Sequence, residues 1–81
     1  MPEVQLVAGL RDAVDGAASV KVDGSTIRQL MSNIERDYPA LHERIRQGIA
    51  VAIDGTIYRD DWDQAIAEDA EVVLLTRIAG G

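Results

Sequence analysis

The 81-residue sequence has no cysteine and no phenylalanine, and only one tryptophan, two prolines and one histidine. Without cysteine there are no disulfides and no thiol nucleophile. A structural zinc site loses its usual thiolate ligands, and His42 alone cannot replace them, so no metal is expected. Without phenylalanine the core must be built from aliphatic side chains. Basic residues are also scarce: eight Lys and Arg stand against fourteen Asp and Glu, for a net charge of −6. Nucleic-acid binding needs clustered cations to replace the counterions on phosphates, and here Lys21 is the single lysine and the arginines are spread thinly. The acidity suits a basic protein partner, or equally serves solubility. No apolar run approaches the roughly 20 residues that span a bilayer. The opening Met1-Pro2-Glu3-Val4 has neither a basic nor an apolar targeting segment, so a cytoplasmic protein with no membrane partner is expected.

What is present is enough for one small domain with an ordinary apolar fraction of 47%. Residues 3 to 9 alternate and predict a strand, with Val4 and Leu6 on one face and Glu3, Gln5 and Val7 on the other. Asp15-Gly16 signals a turn, and residues 18 to 22 predict a second strand, completing a long-looped hairpin. Thr26 is a suitable helix N-cap, and Gln29 three residues later completes a capping box. Ile27, Leu30, Met31, Ile34 and Tyr38 then form one apolar stripe, which Pro39 should end. Residues 40 to 47 predict a short further helix with Leu41 and Ile45 inward and Gly48 as its cap. Residues 49 to 53 predict a strand. Asp54-Gly55 marks a tight hairpin, with Thr56-Ile57-Tyr58 returning. An acidic connection leads to a last strand over residues 71 to 78. One amphipathic helix can cover one face of one mixed sheet, so the order predicts a two-layer α+β fold, the ubiquitin-like β-grasp, in which the last strand returns beside the first. Residues 1–78 would form the domain and residues 79–81 a flexible tail.

Several pieces along the chain resemble the MoaD/ThiS-type family of ubiquitin-like sulfur carriers, and its MoaD-like branch (the molybdopterin synthase small subunit) most closely. These are Leu10-Arg11-Asp12 after the opening strand, Gly24-Ser25-Thr26-Ile27 leading into the helix, and Tyr38-Pro39-Ala40-Leu41 at its end. Ile53-Asp54-Gly55, Glu68-Asp69-Ala70-Glu71-Val72 and the terminal Ile78-Ala79-Gly80-Gly81 complete the set. Thr76-Arg77 and Asp69-Ala70 depart from the pattern, which often has Pro-Ala or Pro-Pro and Asp-Gly there. The resemblance implies that an E1-like enzyme uses ATP to adenylate the Gly81 carboxylate, which then becomes a thiocarboxylate. A second enzyme, similar to the molybdopterin synthase large subunit, would take the sulfur. Related carriers serve thiamine or cysteine synthesis, or act as modifiers conjugated to lysines. The chain itself would be a carrier rather than an enzyme and would bind no cofactor of its own.

The tail composition suits that chemistry. Gly80 and Gly81 have no Cβ, so the backbone can thread a closed site and leave the reacting carbonyl unhindered, with Ala79 preceding them. The last strand is apolar on both faces. If Val72 and Leu74 face the helix, Val73 and Leu75 face outward with Val7, and such an exposed aliphatic patch suggests a partner surface. Ile57 is a further candidate for that patch, and Arg77 could pair with an acidic groove. Asp60, Asp61, Asp63, Glu68, Asp69 and Glu71 lack the ligand spacing of a calcium loop and read as a solvated connection, in which Trp62 is a packing anchor. His42 reads as a surface residue. No nucleophile–base pair is evident.

Overall fold

A computed structural model describes residues 1–59 and 61–76. Five strands form one mixed sheet in the order β2-β1-β5-β3-β4. They are β1 (Glu3–Leu6), β2 (Ser19–Lys21), β3 (Ile49–Ile53), β4 (Thr56–Tyr58) and β5 (Val72–Thr76). β5 lies in the middle, parallel to β1 and antiparallel to β3. This is the β-grasp arrangement, with the last strand beside the first.

Register places the buried strand residues of the core on one face. Val20, Val4, Val72, Ile53 and Thr56 stand in one cross-sheet row, and Leu6, Leu74, Val51 and Tyr58 in the next. Helix α2 (Ile27–Asp37) covers this face with Ile27, Leu30, Met31 and Ile34, all buried. Val4, Leu10, Leu30, Ile34, Leu41, Val72 and Leu74 are completely excluded from solvent. At about 1.5–3 kcal/mol per buried aliphatic side chain, this layer is the main source of stability in a chain without crosslinks.

The start of α2 is satisfied by two different segments. Thr26 accepts from the Gln29 N–H at 3.2 Å, as an N-cap should. The returning arm of the capping box is displaced by one residue: the Gln29 Oε1 accepts from the Ser25 N–H at 2.8 Å and from its hydroxyl at 3.0 Å. The other two free donors of the first turn reach across the chain. The Ile27 N–H donates to the Gln64 carbonyl at 3.0 Å and the Arg28 N–H to the Trp62 carbonyl at 2.8 Å. Within the acidic connection, then, residues 62–66 form a built cap, pinned further by the Thr26–Ala65 bridge and by buried Ile66.

Two other elements differ from the sequence expectation. The first strand stops at Leu6 rather than residue 9, because Val7 becomes the N-cap of α1 (Ala8–Arg11), which runs into a 3-10 turn at Asp12–Val14. The spacing of Val7, Leu10 and Val14 is helical, and it sends Leu10 and Val14 into the core. The predicted helix after Pro39 is a 3-10 turn, Pro39–Leu41, followed by α3 (His42–Gln47), and Gly48 at φ +115 ends it. Arg44 on α3 donates to the Gly9 carbonyl and pairs with Asp12 at 3.3 Å, tying α3 to α1. The Asp54-Gly55 turn forms with both residues at positive φ, as a type I′ hairpin requires. Asp54 also accepts from the Glu71 N–H at 2.9 Å, fixing the start of β5.

Candidate functional site

The site is the outward face of the sheet at the end where β5 leaves it. Because β1 and β5 are parallel, with Leu6 opposite Leu74, their C-terminal ends lie on the same side. The tail residues Arg77, Ala79, Gly80 and Gly81, together with the expected extension of β5 to residue 78, lie outside the described residues. Thr76, the last described residue of β5, pairs with Ile49 at the start of β3.

Alternation puts Ser19, Gln5, Val73, Ala52 and Ile57 in one row on the outward face. Leu75 and Ala50 follow in the next row. The face is divided. Over β5, β3 and β4 it is aliphatic, with Ala50 and Ala52 as a low floor between larger side chains. Over β1 and β2 it is polar, and Ser19 donates to Glu3 at 3.2 Å. Ile57 is 53% exposed, while Val73 and Leu75 are half-buried.

Three of the residues expected to dock a partner, Val73, Leu75 and Ile57, thus share this face. Val73 and Ile57 are separated by one strand, about 10 Å apart at the strand spacing. Val7 joins them differently. It is outside β1, is half-buried and packs partly against the core, yet it lines a recess of about 390 Å³ with Gln5, Arg11 and Val73.

Trp62 is 41% exposed and walls a separate recess of about 250 Å³ with Met31, Ile45 and Tyr58. Its anchoring role is carried by its backbone carbonyl. His42 is exposed and lies 3.5 Å from Glu35. The Arg36 guanidinium is held above its ordinary pKa by its hydrogen bond to Asp37 and by that carboxylate's charge; it belongs to α2 and not to the sheet face. Among the described residues no cluster of three or more His, Cys, Asp or Glu is placed to hold a metal ion. No helix among them is long and apolar enough to cross a membrane.

The sequence matches the ThiS family over residues 4–81. The chain belongs to the ThiS family. This places it in the class of ubiquitin-like sulfur carriers and modifiers. Among curated protein sequences none matches. The fold is similar to that of Mycobacterium tuberculosis CysO, with TM-score 0.82 at 20% identity, covering 96% of this chain and 100% of that one. It is equally similar to a chain of the Amycolatopsis orientalis BexX/CysO complex, with TM-score 0.82 at 18% identity and full coverage of both chains. The small archaeal modifier protein 1 of Methanosarcina acetivorans matches with TM-score 0.81 at 23% identity, over 98% of this chain and 94% of that one. At these identities the likeness concerns the fold; the family rests on the sequence match.

Proposed function

We propose that this ThiS-family protein is a sulfur carrier whose reacting group is the Gly81 carboxylate. An E1-like partner joins that carboxylate to AMP, releasing pyrophosphate from ATP. A sulfur donor then displaces AMP and leaves a thiocarboxylate, which a second enzyme consumes in cofactor synthesis in the cytoplasm. A carboxylate is a poor acyl donor because its leaving group would be oxide; the acyl-adenylate supplies a good one. Gly80 and Ala79 let the end thread the partner's site, and Val7, Val73, Leu75 and Ile57 dock the domain while Arg77 pairs beside it. The ATP is the partner's, and the chain holds no cofactor. The observation that carries this reading is the family match running through Gly81.

Molybdopterin is the sulfur destination that the MoaD-like motifs favour, with thiamine and cysteine synthesis as the other routes. The test is intact mass after incubation with an E1-like partner, ATP and a sulfur donor. A mass change equal to one oxygen replaced by sulfur at Gly81 is expected, and deletion of Gly81 should abolish it. Absence of exchange with every cognate activator would refute the carrier reading.

A second reading, conjugation to lysines, is favoured by the fold shared with an archaeal modifier protein. Trypsin cleavage after Arg77 would then leave Ile78-Ala79-Gly80-Gly81 on target lysines. Failure to find that remnant in cells with an active E1-like partner counts against it.

A further inference from the structure

We propose that Arg11 is a specificity-determining residue, a fixed cation on the docking face that pairs with a carboxylate of the activating partner. The proposal rests on the carrier reading above and names what the partner must present.

The Arg11 Nε donates to the Leu6 carbonyl at 3.0 Å. Leu6 is the last residue of β1, directly opposite Leu74 on β5, so the guanidinium is held at the end of the sheet from which the tail departs. With Nε occupied, the two Nη groups remain as a fork, and among the described residues they have no partner. Of the other described arginines, Arg28 pairs with Asp63, Arg36 with Asp37 and Arg44 with Asp12, while Arg46 on α3 and Arg59 beyond β4 are exposed and do not line this recess. Arg11 lines the same recess as Val7 and Val73. The one carboxylate lining that recess, Glu3, accepts from Ser19 and makes no ion pair with Arg11.

A guanidinium whose rotamer is already held by a backbone carbonyl loses little entropy when a carboxylate binds its fork in bidentate fashion. In a chain of net charge −6, a cation held beside the apolar Val7 and Val73 favours register and selection over bulk attraction. The complementary element is an acidic side chain on the partner next to an apolar one that seats between Val7 and Val73. A nucleotide phosphate is disfavoured as the occupant. Five residues follow Thr76, and fully extended they span up to about 16–18 Å, enough to carry the adenylated carboxyl away from Arg11.

The test is ATP–pyrophosphate exchange by a cognate E1-like enzyme, with the full-length wild type and the Arg11→Lys, Arg11→Ala and Arg11→Glu variants as varied substrate. Arg11→Ala should raise KM roughly tenfold and Arg11→Glu roughly a hundredfold, with kcat within about twofold of wild type. Arg11→Lys, which keeps the charge but not the fork, should fall between wild type and Arg11→Ala. The KM of the wild type should also rise more steeply with salt than that of Arg11→Ala. Matching thermal melts for Arg11→Lys and wild type separate recognition from folding. A KM for Arg11→Glu within about twofold of wild type overturns the Arg11 assignment while leaving the carrier intact. A fall in kcat at constant KM also overturns it, because it would make Arg11 part of the chemistry. No exchange with the wild type refutes the carrier reading and this proposal together.

Discussion

Gly24 should tolerate no side chain. It precedes the α2 cap, and a Cβ built on it would lie 2.7 Å from the Leu30 Cα and 2.8 Å from the Leu30 N. Both are backbone atoms of a helix whose first turn is bonded to two segments, so neither can swing aside as a side-chain tip would. Ordinary carbon–carbon contact is about 3.5–4.0 Å, and the loop or helix would therefore have to shift by about 1 Å. Overpacking of this kind costs about 1–3 kcal/mol. The φ of +157° at Gly24 adds about 1 kcal/mol for a residue with a Cβ. The Gly24→Ala variant should then lose about 3 kcal/mol, which at about 4–8 °C per kcal/mol lowers Tm by about 12–24 °C. A domain of this length has about 4–12 kcal/mol in total, so the loss is large but measurable. Two other glycines provide controls. A Cβ at Gly55 meets nothing within 4 Å, and only its φ of +87° opposes substitution, so Gly55→Ala should lose about 1 kcal/mol. Gly9 lies in α1 with open space around it, and Gly9→Ala should gain about 0.4–1 kcal/mol. Urea unfolding at constant m-value measures all three. If Gly24→Ala loses no more than Gly55→Ala, the close approach to Leu30 is not what excludes a side chain, and the reasoning fails.

Removing the Thr26 hydroxyl in Thr26→Ala leaves the Gln29 N–H without its acceptor and should cost about 1 kcal/mol in the same unfolding assay. Leu74 sits at the centre of the inner face with no exposure, and Leu74→Ala should cost about 2–5 kcal/mol, read as a lowered urea midpoint. Ile57→Asp, on the exposed outward face, should change stability by less than about 0.5 kcal/mol yet weaken capture of the activating partner in a surface-binding assay; unchanged binding would remove Ile57 from the docking patch.

Most elements were legible because their signals are local. Thr26 with Gln29 marks a helix start, Pro39 its end and Asp54-Gly55 a hairpin, and each acts within a few residues of itself. The opening strand is shorter than its pattern predicts because alternation at Glu3–Leu6 continues into Val7, whose helical spacing to Leu10 and Val14 competes with it. The role of residues 62–66 was hidden in a run of acidic side chains, since their capping groups are backbone carbonyls, which carry no residue-type signal. Ile66, the lone large aliphatic residue beyond Trp62 in that stretch, was the available clue.

By itself the sequence determined the inventory: an aliphatic core without crosslinks, one amphipathic helix, a chain segment with two apolar faces, and a Gly-Gly end. Periodicity and turn chemistry are short-range, so they survive in a linear reading. The hairpins and the return of the last strand beside the first were legible too, whereas the tertiary structure alone decided that β3 flanks β5 on its other side and fixed the register that sets which residues meet on the outward face. Setting β5 between β1 and β3 puts Val73 in one row with Ile57, and Val7 and Arg11 at the end from which the tail departs. Val7 and Arg11 lie some sixty positions from Val73 along the chain. They meet because the parallel pairing of the first and last strands satisfies both backbones and buries Val4, Leu6, Val72 and Leu74 together, a condition that no local pattern encodes.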